Sequence, residues 1–158
     1  MEHAEHILKK PDTYLGSAEP ENIKTFLHDN EHNKMIEKEI DLTPGFYKCF
    51  DELLVNAHDH KKRMQKVAND GNQHYMVNNI KVNINDDNSI TFYNDGDGIL
   101  VEYMEEHKMY PPTLIFGSLL SGTNFDDNEA REWGGRNGYG AKLANIFSMK
   151  FIVETVCH

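Results

Sequence analysis

Pro44-Gly45-Phe46-Tyr47-Lys48-Cys49-Phe50-Asp51-Glu52-Leu53-Leu54-Val55-Asn56-Ala57-His58-Asp59 is the stretch on which the fold turns. Pro44-Gly45 marks a turn. Residues 45–68 then carry the strongest helical signal of the chain. Phe46, Phe50, Leu53, Leu54 and Ala57 recur at three and four residues and leave one apolar stripe along a helix. Glu52 and Asn56 are four apart, so they share a face. The stripe beside them sets both side chains at the edge of a core. An Asn offers Mg2+ a neutral oxygen ligand. A carboxylate one turn away can take a proton from a water attacking phosphorus. The same spacing also suits a solvated polar face, so this motif alone leaves both readings open.

Working outward, residues 69–79 are polar, with Asp70-Gly71-Asn72, and read as a loop. Ile80, Val82 and Ile84 alternate as a strand, Asp86-Asp87-Asn88 turns, and Ile90 to Asn94 returns as the second strand of a hairpin. Asn94-Asp95-Gly96-Asp97-Gly98-Ile99 follows. Its glycines permit positive φ and close backbone approach, and a short polar acceptor at a strand end can read the amino edge of a purine. An ordinary strand-end turn is the plainer alternative. Residues 112–120 suggest a short helix, and 121–140 are rich in Gly, Asn and Asp. Gly134-Gly135-Arg136-Asn137-Gly138-Tyr139-Gly140-Ala141-Lys142 runs into a helix over 141–148, and 151–156 read as a last strand. Consecutive N–H groups, a helix N-terminus and a lysine make a phosphate cradle. It is not a P-loop, because Gly-Lys-Ser/Thr is missing.

Towards the N-terminus, residues 3–9 read as a short helix ending at Lys10-Pro11. A turn covers Pro11 to Ser17, residues 21–30 are ambiguous, and 34–42 suit a strand. Helix and strand alternate without a regular β-α-β rhythm. The expected class is therefore α+β, with helices on one face of a mixed sheet.

The 158 residues suit one domain with a single apolar core. Sixteen Lys plus Arg stand against 26 Asp plus Glu. An acidic surface does not attract a phosphate backbone, so any DNA contact is expected through other parts of a longer protein. A nucleotide site remains open, because a few N–H groups and one lysine can hold phosphates in an acidic domain. No segment has transmembrane length, and no signal peptide pattern opens the chain. Cys49 and Cys157 read as reduced thiols of an intracellular protein.

Glu-x-x-x-Asn on a helix, Asn-Asp-Gly-x-Gly, and a Gly-rich segment entering a helix, in that order, resemble the GHKL ATPases with their Bergerat-type sandwich. Glu5-His6-Ile7-Leu8-Lys9-Lys10-Pro11-Asp12-Thr13-Tyr14-Leu15-Gly16-Ser17 and the run from Pro44 to Glu52 narrow the resemblance to type IIA topoisomerases. Leu114-Ile115-Phe116-Gly117, Thr123-Asn124-Phe125-Asp126-Asp127 and residues 134–142 are similar to the eukaryotic branch.

That resemblance implies an ATP-binding and hydrolysing domain over 1–158, cut short at its C-terminal end, from an enzyme that passes one duplex through a break in another. It implies Glu52 as general base and Asn56 as Mg2+ ligand. Asn94 falls at the adenine-reading position. Gly122, Thr123 and Asn124 match the segment against ribose and phosphate. Gly135, Arg136, Asn137, Gly138, Tyr139, Gly140, Ala141 and Lys142 match the lid around the triphosphate. ATP and Mg2+ are the implied cofactors, and the full-length form is expected to be a homodimer with no membrane partner. The expected compartment is the nucleus for a cellular eukaryotic protein, or host nucleus, cytoplasm or virion for a viral one. The chain departs from the family pattern at Gly122, where a hydroxyl is usual, at His58, where a small Ala is usual, and at Asp59-His60, where Asp-Asn is common. Two alternatives keep the motifs and change the job: a chaperone or mismatch-repair ATPase, or a binding module that hydrolyses nothing.

Overall fold

Proline cannot donate to a helix, but at its first turn no donor is needed and the ring presets φ. That rule places three of the helix starts. The computed structural model describes residues 3–69, 76–119 and 139–157, and the chain divides into two compact units, Met1–Cys49 and Phe50–His158.

In the first unit, α1 (His3–Lys9) ends where Pro11 opens α2 (Pro11–Tyr14). The expected turn over Pro11 to Ser17 is thus a short helix followed by a bend at Gly16, whose φ of 91° suits glycine. Ile7 is fully buried and Leu15 nearly so. The His6 ring packs edge-on against Tyr14, with Nδ1 3.0 Å from the hydroxyl. Two nine-residue strands follow, β1 (Glu21–Asp29) and β2 (Lys34–Leu42), paired antiparallel from Glu21↔Leu42 to Asp29↔Lys34. The Asp29 carboxylate closes their turn by accepting the Glu31 N–H at 3.0 Å, and Asn33 takes a φ of 47°, which Asn tolerates.

Helix α3 (Pro44–Asn69) begins at Pro44 itself. Pro44-Gly45 is therefore the first turn of the helix and not a separate loop. The Gly45 N–H donates to the Ser17 carbonyl at 2.8 Å. Phe46, expected in the apolar stripe, is 64% exposed. The stripe buries from Phe50 onward, with Ala57 at its deepest point.

In the second unit, β3 (Ile80–Ile84) and β4 (Ile90–Asn94) form the predicted hairpin in the register Ile80↔Asn94, Val82↔Phe92, Ile84↔Ile90. Asn88 at the turn has a φ of 63°. Phe92 meets Phe50 of α3 with ring centroids 5.1 Å apart, which packs the helix on one side of the hairpin. On the opposite side Lys81 lies over the Tyr93 ring. Both ladders among the described residues are antiparallel, and the class is α+β, as expected. Helices α4 (Pro111–Gly117) and α5 (Gly140–Ile146) pack together, and Asn145 Nδ2 donates to the Phe116 carbonyl at the end of α4.

Residues 151–156, expected as a strand, form no ladder among the described residues. The reason is a tertiary contact. The Ile99 N–H donates to Thr155 Oγ1 at 2.8 Å, so a side-chain hydroxyl takes the place a strand carbonyl would fill.

Candidate functional site

Glu52 and Asn56 sit one turn apart on α3, as the spacing requires. Glu52 is half-buried and Asn56 exposed, while Ala57 beside them is 7% exposed. The pair therefore stands at the rim of the core.

Strand period two decides where Asn94 goes. It follows Phe92 by two residues, so it lies on the α3 side of the hairpin at the end of β4. Asn94 is half-buried, and its Nδ2 donates to the Asp95 carbonyl at 2.9 Å. Asp95 has a different task. Its Oδ1 accepts the Asn78 and Asn79 N–H groups at 2.7 and 2.8 Å, and its Oδ2 accepts Asn79 Nδ2 at 2.7 Å. The Asn79 N–H, helped by the Asn79 amide, holds this carboxyl below the usual carboxylate range.

The two glycines of this loop act separately. Gly96 has a φ of 101°, open to glycine at no steric cost. Gly98 approaches the chain's own backbone: a Cβ there would overlap the Val156 carbonyl oxygen and lie 2.5 Å from its carbon. Residues 155–156 thus pass close against this loop.

Tyr139, Gly140, Ala141 and Lys142 lie at the start of α5. Tyr139 occupies the N-cap without a side-chain cap, and its carbonyl accepts the Leu143 N–H at 2.8 Å. Ala141, Lys142, Leu143 and Ala144 are all buried, and Lys142 is only 3% exposed. Burial disfavours the ammonium and lowers the Lys142 pKa. An anion seated beside it would favour the charged form.

Gly140 brings the first and third motifs together. A Cβ on Gly140 would overlap Glu52 Oε2 and lie 2.7 Å from Cδ and 3.2 Å from Cβ of Glu52. The start of α5 therefore rests directly on the Glu52 side chain. Gly122, Thr123, Asn124, Gly135, Arg136, Asn137 and Gly138 lie outside the described residues.

Sequence reasoning passed over His60 as a contact. It continues the row Glu52, Asn56, His60 at four-residue spacing, so the signal was present. Arg63 Nη2 lies 3.4 Å from His60 Nδ1, and the Asp97 backbone accepts from the ring. Burial, then the Arg63 charge, lowers the His60 pKa, and Asp97 partly offsets this. His60 thus ties α3 to the loop that begins at Asn94.

No protein-family model matches the chain. It is 48% identical to the DNA topoisomerase 2 of Meyerozyma guilliermondii over 156 residues, which is 98% of this chain and 10% of that protein. Against the DNA topoisomerase 2 of Drosophila melanogaster the identity is 48% over 152 residues, 96% of this chain and 10% of that protein. The structure of the ATPase region of Saccharomyces cerevisiae topoisomerase II superposes with a TM-score of 0.81 at 45% identity, covering 94% of this chain and 37% of that one. The ATPase and transducer domains of DNA topoisomerase II from Balamuthia mandrillaris give the same TM-score, 0.81, at 45% identity, covering 94% and 35%. The chain spans about a tenth of the length of the DNA topoisomerase 2 relatives it matches.

Proposed function

We propose, from the membership of this chain in the DNA topoisomerase 2 family, that residues 1–158 bind and hydrolyse Mg-ATP as the ATPase domain of a type IIA topoisomerase. The carrying observation is the contact of Glu52 with the start of α5, which sets a carboxylate from the helix motif against the Gly-rich motif. Glu52 is the general base: its carboxylate takes a proton from the attacking water. Asn94 reads the adenine edge from the end of β4. Gly122, Thr123 and Asn124 line ribose and phosphate, and Gly135, Arg136, Asn137, Gly138, Tyr139, Gly140, Ala141 and Lys142 surround the triphosphate.

The residues fit a Mg-nucleotide on two counts. Asn56 is exposed and offers a hard, neutral oxygen of the kind Mg2+ accepts. Lys142 at the start of α5 adds a side-chain ammonium of the kind that suits phosphate. When bound through Asn56, Mg2+ supplies charge neutralisation at the phosphates. Asn56 orients that site, Glu52 holds the proton, and the buried α5 face excludes water around Lys142.

Other regions of the longer protein contact DNA, consistent with the acidic balance of this one. The whole enzyme acts as a homodimer in the nucleus of a eukaryotic cell. No helix among the described residues is long and apolar enough to cross a membrane.

The test is Mg-dependent binding of a nonhydrolysable ATP analogue, by calorimetry, to the native chain and to Asn56→Ala. Binding that requires both Mg2+ and Asn56 supports the reading. Analogue binding of equal strength with and without Asn56 would remove that residue from the metal site.

A further inference from the structure

Gly140 is the first residue of α5, and the space where its Cβ would stand is taken by the Glu52 side chain. Helix α5 has no acidic residue in its first turn and no side-chain cap. The Glu52 carboxylate, arriving from α3, lies against the first residue of α5. Two of the three atoms in the way, Oε2 and Cδ, are the far end of a flexible side chain. A methyl at 140 would therefore push the carboxylate aside without breaking the fold.

We infer that Gly140 is a positioning residue for the catalytic base: the absence of a side chain there lets α5 hold the Glu52 carboxylate at its working position. This rests on Glu52 being the base. It goes beyond a contact between Gly140 and the nucleotide, because it acts on proton abstraction whatever Gly140 adds to affinity.

The experiment uses the full-length protein and compares Gly140→Ala, Glu52→Asp, the double variant and Glu52→Gln. Gly140→Ala should lower kcat about 100-fold, the scale of a displacement near 1 Å, measured at saturating nucleotide so that any change in affinity is set aside. Its melting temperature should stay close to the native value. Glu52→Asp retracts the same carboxylate, so adding Gly140→Ala to it should cost little further turnover. A raised dissociation constant with kcat preserved would overturn the inference, because Gly140 would then serve the nucleotide alone. Losses that multiply in the double variant would overturn it too, as would a large drop in the melting temperature of Gly140→Ala. If Glu52→Gln turns over normally, the base reading falls and takes this inference with it. If Glu52→Gln is dead and Gly140→Ala is fully active, only the Gly140 inference falls.

Discussion

The two hairpins share one ladder type and differ in what they carry. In β1–β2, the pairs Ile23↔Ile40 and Leu27↔Ile36 half-bury one side over nine-residue strands. Phe26 at 63% and Met35 at 58% stand exposed. In β3–β4 the strands have five residues, yet Val82, Ile90 and Phe92 share the side packed by α3, and Asn94 ends that side. The shorter ladder lies under the helix that bears Glu52 and Asn56, the residues proposed for the chemistry. Ladder length adds backbone hydrogen bonds, whereas packing against a helix fixes where side chains point.

The largest expected effect lies on the α3 side. Glu52→Gln should cut steady-state ATP turnover by roughly 100- to 10,000-fold while the analogue still binds. Normal turnover would strip the second hairpin and its helix of their claim to the reaction.

Next, matched truncations test the packing contrast directly. Phe92→Ala removes the ring that meets Phe50 and should cost roughly 2–3 kcal/mol in denaturant unfolding, less than a fully buried Phe because Phe92 is half-buried. Phe26→Ala should stay within about 0.5 kcal/mol. Equal losses would erase the distinction between the hairpins.

A smaller effect concerns Asp95, which ties Asn78 and Asn79 to the end of β4. Its folded pKa is depressed below 3.8, chiefly by the Asn79 N–H. The stability this adds is present above the unfolded value and is lost as pH falls through the folded one. Asp95→Asn should therefore flatten the fall in melting temperature below pH 3.8 relative to the native protein. An unchanged acid profile would show that the carboxylate does not anchor this loop.

The smallest effect belongs to the first hairpin. The Lys24–Glu37 pair, 2.6 Å apart, is 60% and 48% exposed. Lys24→Ala should cost below about 1 kcal/mol, and the difference should shrink in high salt. A large salt-insensitive loss would mean that this ladder depends on charge in a way its exposure does not suggest.

Particular residues explain what was legible. The α3 helix, the strand pattern of Ile80, Val82, Ile90 and Phe92, and the short helices α1, α4 and α5 followed from spacing alone. Strand β1 did not, because Phe26 on the exposed side interrupts the alternation of Ile23, Thr25 and Leu27. Pro44 misled in the other direction: proline signals a turn and a helix start equally well, and only the Gly45 to Ser17 hydrogen bond selects the second. Residues 151–156 had strand composition, but a ladder needs a partner backbone, and Thr155 offered a hydroxyl.

By itself the sequence determined the elements, their period and the order of the three motifs, because side-chain spacing along a helix or strand is a local property. It also placed Glu52, Asn56 and His60 on one helical row. Tertiary structure decided the rest: that Gly140 rests on Glu52, that Gly98 meets Val156, that Lys142 is buried, and that Asp95 serves the loop while Asn94 stays on the α3 side. These are contacts between residues far apart in the chain. Their geometry comes from how elements pack, which no local pattern encodes.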